Sequence, residues 1–423
     1  MRRTVESENK SDLIIEGGTL LTMVDGEEPM HDARVIISGD SIEQVSARHD
    51  SPLPEAHEII NAEGAIILPG LINAHGHSPM TMFRGMADDL PLKKWLFDHI
   101  FPAEAKYLNP NTVYWASLLA CLEMIESGTT TSVDGYFFAD GIVKAADEAG
   151  IRAIVAQGVI DFPAPGVPDP KENLDVATAF LERWMLFSDL ITAGVFCHTP
   201  VTCSETTLVK APEISARFGS RLQIHLSETQ EEVEEIEKRT GSRPVFYLDD
   251  LGLLQGDLIA AHAIHLNEEE IDLLAKRQVK VAHCPESNMK LGSGIAAVAR
   301  MLEKGLTVGL GTDGCASNND LDLFGEMDTA AKLAKVANLD PTVLDARSVL
   351  KMATIEGARV IGLEDGVGTI EVGKKADIII VDTNTPHMTP IYNPYSQLVY
   401  SATGGDVRDG IMNEVKRLTQ SIQ

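Results

Sequence analysis

The chain has 423 residues, 44% of them hydrophobic and 23% charged, which is ample for a large core and unlike a disordered polypeptide. Sixty-three acidic residues against 35 basic ones leave a formal net charge of −28, a field that repels phosphate backbones and anionic lipid surfaces. Nucleic acid and membranes are therefore not expected partners. Cys121, Cys197, Cys203, Cys284 and Cys315 are odd in number and form no CxxC pair, so a reducing cytoplasm is the expected compartment. The opening MRRTVESENKSDLIIEGG has no apolar run of signal-peptide length, and no stretch reaches the roughly 18 apolar residues of a membrane span. A soluble, unexported protein follows as the expectation.

From Asp12 to about Ala65, short β-branched runs alternate with turns (LIIEGGTLLTM, ARVIISGDSIEQV, EIINAEGAIILPG), a pattern that predicts small antiparallel strands. GTIEVGKKADIIIVD repeats the style near the other end. One β-sandwich-like domain built from 1–68 and 364–423 is the simplest account, flanking a central domain over 69–363. In that middle part, apolar runs alternate with amphipathic helical segments such as EEVEEIEKRT, as in βα units around a parallel sheet. Eight runs stand out: AIILPGLINAHGH, TTTSVD, IRAIVAQ, ITAGVFCH, RLQIH, LIAAH, VKVAH and LTVGLGTD. Eight such runs predict a TIM-type (β/α)₈ barrel, an α/β fold.

The runs stop at His75 and His77, Asp134, Gln157, His198, His225, His262, His283 and Asp313. A barrel gathers its strand C-termini on one face, where active sites lie. His75 and His77 are alternate residues and share a face, forming a chelating pair. His225 adds a third nitrogen and Asp313 a hard oxygen, a set that suits zinc or ferrous iron with one position left for water. Asp313 would lie beside that water and is a candidate acceptor of its proton. Glu228 emerges three residues beyond His225, placed to donate protons to a ring nitrogen and a departing amine. Of His262 and His265, the former stands at the strand end and is read as the stabiliser of developing charge. His265 and His283 are read as structural.

These residues lie in PGLINAHGHSPMTMFRG, WLFDHIFPAE, ESGTTT, HLSE, AAHAIHL, AHCPESNMKLGSG and LGTDGCASNN, in order along nearly the whole chain. The chain thereby resembles the amidohydrolase superfamily, and within it the 5′-methylthioadenosine/S-adenosylhomocysteine deaminase group, which is related to the triazine chlorohydrolases. The resemblance implies that His75, His77, His225 and Asp313 bind one divalent metal, zinc or iron, and that Glu228 and His262 are catalytic. It further implies that Glu104 holds the ribose hydroxyls of a nucleoside and that His198 contacts the bound substrate. Strand four ends in histidine, not in the lysine carbamylated in binuclear relatives, which favours a single ion. No PCxxC occurs, which excludes the other zinc deaminase fold. A homo-oligomer is the expected assembly. Guanine deamination, triazine hydrolysis and a non-catalytic scaffold role are the alternatives.

The sequence departs from the group twice. After Asp406-Val407-Arg408-Asp409, the chain runs almost directly into a helix-like IMNEVKRLTQSIQ where relatives have a β-hairpin. The loop after strand three, QGVIDFPAPGVPDPKENL, lacks the arginines that relatives carry and reads as an apolar lid.

Overall fold

The computed structural model describes residues 11–412 and the backbone of 416–419. Eight strands, Leu71–Gly76, Thr129–Tyr136, Arg152–Val159, Ile191–Cys197, Arg221–Leu226, Leu258–His262, Lys280–His283 and Thr307–Leu310, pair in that order and all in parallel. The ring closes where Gly76 bridges Asp313 and the Asp313 amide donates to the His75 carbonyl at 3.0 Å. Closure itself thus sets Asp313 beside His75. Strands such as Thr129–Tyr136 and Arg152–Val159 are buried at every residue, because helices cover the outside and side chains fill the inside. The helix Gln230–Thr240 shows how the covering is encoded. Thr229 caps it by accepting from the Glu232 amide, Glu231 and Glu232 occupy its first turn, and Val233 and Ile236 are the residues it buries.

The first apolar run is two strands, not one. Ala65–Pro69 belongs to a separate sheet and Leu71–Gly76 to the barrel, with Gly70 between them. A Cβ on Gly70 would lie 2.1 Å from Thr130 Oγ1, so only glycine passes here.

Two further sheets lie beside the barrel. One has the order Ser41–Ala47, Ala33–Ser38, Ser11–Glu16, Ala56–Asn61. The other runs Lys416–Thr419, Val407–Met412, Ile378–Asp382, Ala65–Pro69, Thr19–Leu20, Met30–His31. Leu13, Ile37, Ile67 and Ile378 from the two sheets share one core, the arrangement of a sandwich. A buried pair, Arg152 Nε to Asp377 Oδ2 at 3.1 Å, ties this sandwich to the third barrel strand.

Two expectations are corrected. The terminal strands are not all antiparallel: Ser11–Glu16 pairs in parallel with Ala56–Asn61, and Thr19–Leu20 with Ala65–Pro69. The hairpin Ala33–Ser38/Ser41–Ala47 occupies one edge of Ser11–Glu16, so the returning chain takes the other edge in the parallel sense. The C-terminal stretch read as helix-like instead pairs as strands, Gly410 opposite Leu418 and Met412 opposite Lys416. The open edge of Val407–Met412 offers backbone partners that outweigh the helix preference of Glu, Lys and Leu. The turn itself, 413–415, lies outside the described residues.

Candidate active site

Residues at or just past the ends of seven of the eight strands line one cavity of about 550 Å³. On its floor one ligand atom each from His75, His77, His225 and Asp313 lie within 4.8 Å of one another, all four residues buried. His225 Nε2 is 3.2 Å from His75 Nε2, and Asp313 Oδ1 is 3.2 Å from His77 Nε2 and 3.6 Å from His75 Nε2. Ligands about 2.0–2.1 Å from a tetrahedral ion stand roughly 3.3 Å apart, so these spacings fit a divalent metal. The surroundings leave the right atoms free. His77 Nδ1 donates to the Gly135 carbonyl at 2.7 Å, turning Nε2 inward. Ser287 and Ser317 hydroxyls donate to Asp313 Oδ2 at 2.6 and 2.7 Å, leaving Oδ1 for the histidines. Burial pushes His75 down to about 4 and His225 well below the usual histidine range, which keeps both imidazoles in the neutral, ligating form. Burial opposes ionisation of Asp313, but hydrogen bonds to His75 and His77 outweigh it and hold the carboxyl well below its ordinary range. The chain therefore carries a metal-binding site.

Two residues of the same floor carry strained backbone. His262 has φ 68° and Asp313 φ 60°, left-handed values that non-glycine residues rarely adopt. Both stand at or just past a strand end, where the turn aims the side chain back across the barrel mouth. His262 Nε2 lies 3.8 Å from Glu228 Oε2. Burial raises the Glu228 carboxyl above its ordinary pKa, against an opposing electrostatic contribution from His262.

The remaining residues singled out in the sequence line the walls. Glu104, on the helix Phe101–Tyr107, is buried, and burial pushes its carboxyl up to about 7. The Tyr136 hydroxyl donates to its Oε1, while Oε2 has no partner among the described residues. His198 lines the cavity, with Nδ1 held to Thr202 Oγ1 at 2.8 Å and burial lowering it to about 3. His265 donates from Nε2 to the Ser293 carbonyl at 2.7 Å, and buried His283 is not on the cavity lining.

Several site residues escaped sequence reasoning. The second strand runs on from Asp134 to Tyr136, and the period of two already put both on one face. Glu232 accepts from the Glu228 amide at 2.8 Å, and burial pushes it up to about 8. At the mouth Lys93 faces Glu235 at 3.6 Å. Arg84 instead binds Glu123, away from the cavity. The loop after strand three acts indirectly. Its Phe162 packs edge-on against Phe101, a lining residue, at a centroid distance of 5.2 Å.

Metal-dependent hydrolases on barrel scaffolds have such a floor: imidazoles and a carboxylate converging at strand C-termini, with a protonatable acid alongside. The chain belongs to the amidohydrolase family, whose model matches residues 66–414. A 5-methylthioadenosine/S-adenosylhomocysteine deaminase of Syntrophobacter fumaroxidans is 47% identical over 406 residues, 96% of this chain and 92% of the relative. A 5′-deoxyadenosine deaminase of Methanosarcina acetivorans is 45% identical over 406 residues, covering 95% and 92%. Among solved structures, an adenosine deaminase from Xanthomonas campestris with bound zinc superposes with a TM-score of 0.94 at 38% identity, over 97% of this chain and 94% of its own.

Proposed function

We propose that the protein hydrolyses the 6-amino group of 5′-methylthioadenosine and related adenosine derivatives, releasing ammonia and the inosine analogue. The observation that carries this reading is the placement of Glu228 and His262 beside the His75, His77, His225 and Asp313 cluster, with Glu104 and His198 on the cavity walls. The relatives, named as deaminases of adenosine derivatives, support it.

One zinc ion is the proposed cofactor, since three imidazole nitrogens and one carboxylate oxygen are a zinc donor set. When bound, such an ion supplies Lewis acidity that lowers the pKa of water toward about 7. The chain's own groups do the rest. Asp313 accepts a proton from the attacking water. His262 accepts a hydrogen bond from the attacking water and holds it for addition to C6. Glu228, whose carboxyl burial shifts toward the protonated form, donates to ring N1, then takes the hydroxyl proton of the tetrahedral adduct and passes it to the departing amine, and the proton held by Asp313 restores it. The C6–N bond breaks, ammonia leaves and the ring carbonyl forms. Glu104 Oε2, without a protein partner, accepts from the ribose hydroxyls, and His198 contacts the nucleoside.

All five cysteines are free and buried, in keeping with a reducing cytoplasm, and no helix among the described residues is long and apolar enough to cross a membrane. A homo-oligomer is the proposed assembly. The test is ammonia release by zinc-loaded protein from a panel of adenosine derivatives, guanine and triazines. Release from the adenosine derivatives supports the reading. Release only from guanine or a triazine overturns it.

A further inference from the structure

The segment after the seventh barrel strand touches all three side chains that the proposed reaction places around the attacking water and the ring. Ser287 Oγ donates to Asp313 Oδ2 at 2.6 Å, Asn288 Oδ1 accepts from His262 Nδ1 at 2.8 Å, and Ser293 Oγ donates to Glu228 Oε1 at 3.3 Å. All three contacts are buried. They come from within seven successive residues, Ser287 to Ser293, whose own backbone is tied together. The Ser293 amide donates to the Asn288 carbonyl at 2.9 Å, and the Asn288 amide to Cys284 at 3.0 Å.

The segment is also braced from outside. His265 Nε2 donates to the Ser293 carbonyl at 2.7 Å, and Arg243 holds the His265 carbonyl at 2.7 Å while pairing with Glu270 at 2.8 Å. Gly294 follows with φ 138°, and a Cβ there would lie 2.9 Å from Ile264 and 3.1 Å from His265 Nε2. The chain is pressed against His265, so Ser293 has little freedom to move off Glu228. A helix cap or a turn would not need to present one side-chain atom to each of three separate strand ends.

We propose that Asn288 and Ser293 are positioning residues that set the proton arrangement of the catalytic pair. The Asn288 carbonyl oxygen can only accept, so it fixes His262 as the Nδ1–H tautomer and turns the Nε2 lone pair toward Glu228 and the attacking water. Ser293 occupies Glu228 Oε1, so the oxygen facing His262, Oε2, is the one that exchanges protons with substrate. The roles in turnover rest on the deaminase reading, whereas the tautomer of His262 does not.

The test has two arms. In ¹⁵N-histidine NMR of the zinc-loaded protein, His262 is expected as the Nδ1–H tautomer, retained in Asn288→Asp and lost or mixed in Asn288→Leu. Finding wild-type His262 as Nε2–H, or an unchanged tautomer in Asn288→Leu, overturns the role of Asn288 whatever the substrate proves to be. In kinetics on the best nucleoside, Ser293→Ala should lower kcat about 10-fold or more with KM nearly unchanged, the scale of outer-shell partners. In a Glu228→Gln background the same change should cost nothing further, because Ser293 acts through that carboxyl. An equal loss in both backgrounds overturns the role of Ser293. Absence of nucleoside turnover by wild type leaves the tautomer result standing and counts against the deaminase reading instead.

Discussion

Replacing Glu104 by glutamine should stabilise the substrate-free protein at alkaline pH while weakening nucleoside binding. The carboxyl is buried and its pKa is pushed up to about 7 from an ordinary 4.5, chiefly by desolvation. Between those two values the folded state binds a proton that the unfolded state has released, so stability falls as pH rises through the window. At about pH 8 the penalty approaches roughly 3 kcal/mol, and at about pH 5 it is under about 1 kcal/mol, at about 1.36 kcal/mol per pKa unit. Glutamine keeps an oxygen for the Tyr136 hydroxyl and carries no charge. The variant should therefore gain about 2.5 kcal/mol on wild type between the two pH values. Urea unfolding of both proteins at both pH values, with matched metal content, reads this difference directly. The same variant should raise KM for nucleosides, since an amide is a weaker acceptor for two ribose hydroxyls. A stability difference independent of pH would refute the reasoning, as would a larger advantage at the lower pH.

Other expectations follow from the same geometry. Glu228→Gln should keep fold and metal but lose about 10²-fold or more of kcat, because an amide cannot donate the proton; near-normal kcat would show that another group shuttles it. S-Adenosylhomocysteine should fall about 10- to 150-fold below methylthioadenosine in kcat/KM, since Lys93, the one lysine on the cavity lining among the described residues, is already paired with Glu235, and Glu231 adds a further acid to that lining. Equal values would mean that Lys93 leaves Glu235 to meet the substrate carboxylate. Asp377→Ala should cost about 3–5 kcal/mol by stranding the buried Arg152 guanidinium, measured by urea unfolding; a loss under about 1 kcal/mol would show that water reaches that arginine.

The barrel was legible because seven of the eight inner runs close on a histidine or an aspartate and the third on Gln157, and those closing positions are where a barrel puts its chemistry. Convergence of His75, His77, His225 and Asp313 followed from strand order alone. What escaped depends on pairing that no local pattern records. Ser11–Glu16 reads the same whether Ala56–Asn61 joins it in the parallel or antiparallel sense, and the C-terminal strand reads as helix until the edge of Val407–Met412 is there to receive it. Asn288 and Ser293 were visible as letters of AHCPESNMKLGSG. Their partners, His262 and Glu228, sit 26 and 65 residues away, and only the barrel's curvature brings them together. Tyr136 was missed because the second strand was read as ending two residues early.

Metal-dependent deamination at a single site is tested most directly by removing and restoring the ion. Chelator-stripped protein should be inactive toward 5′-methylthioadenosine and regain ammonia release in proportion to added zinc, reaching its plateau at about one ion per chain, while His225→Ala neither binds the ion nor recovers. Full activity in the stripped protein, or a plateau reached only at about two ions per chain, would contradict it.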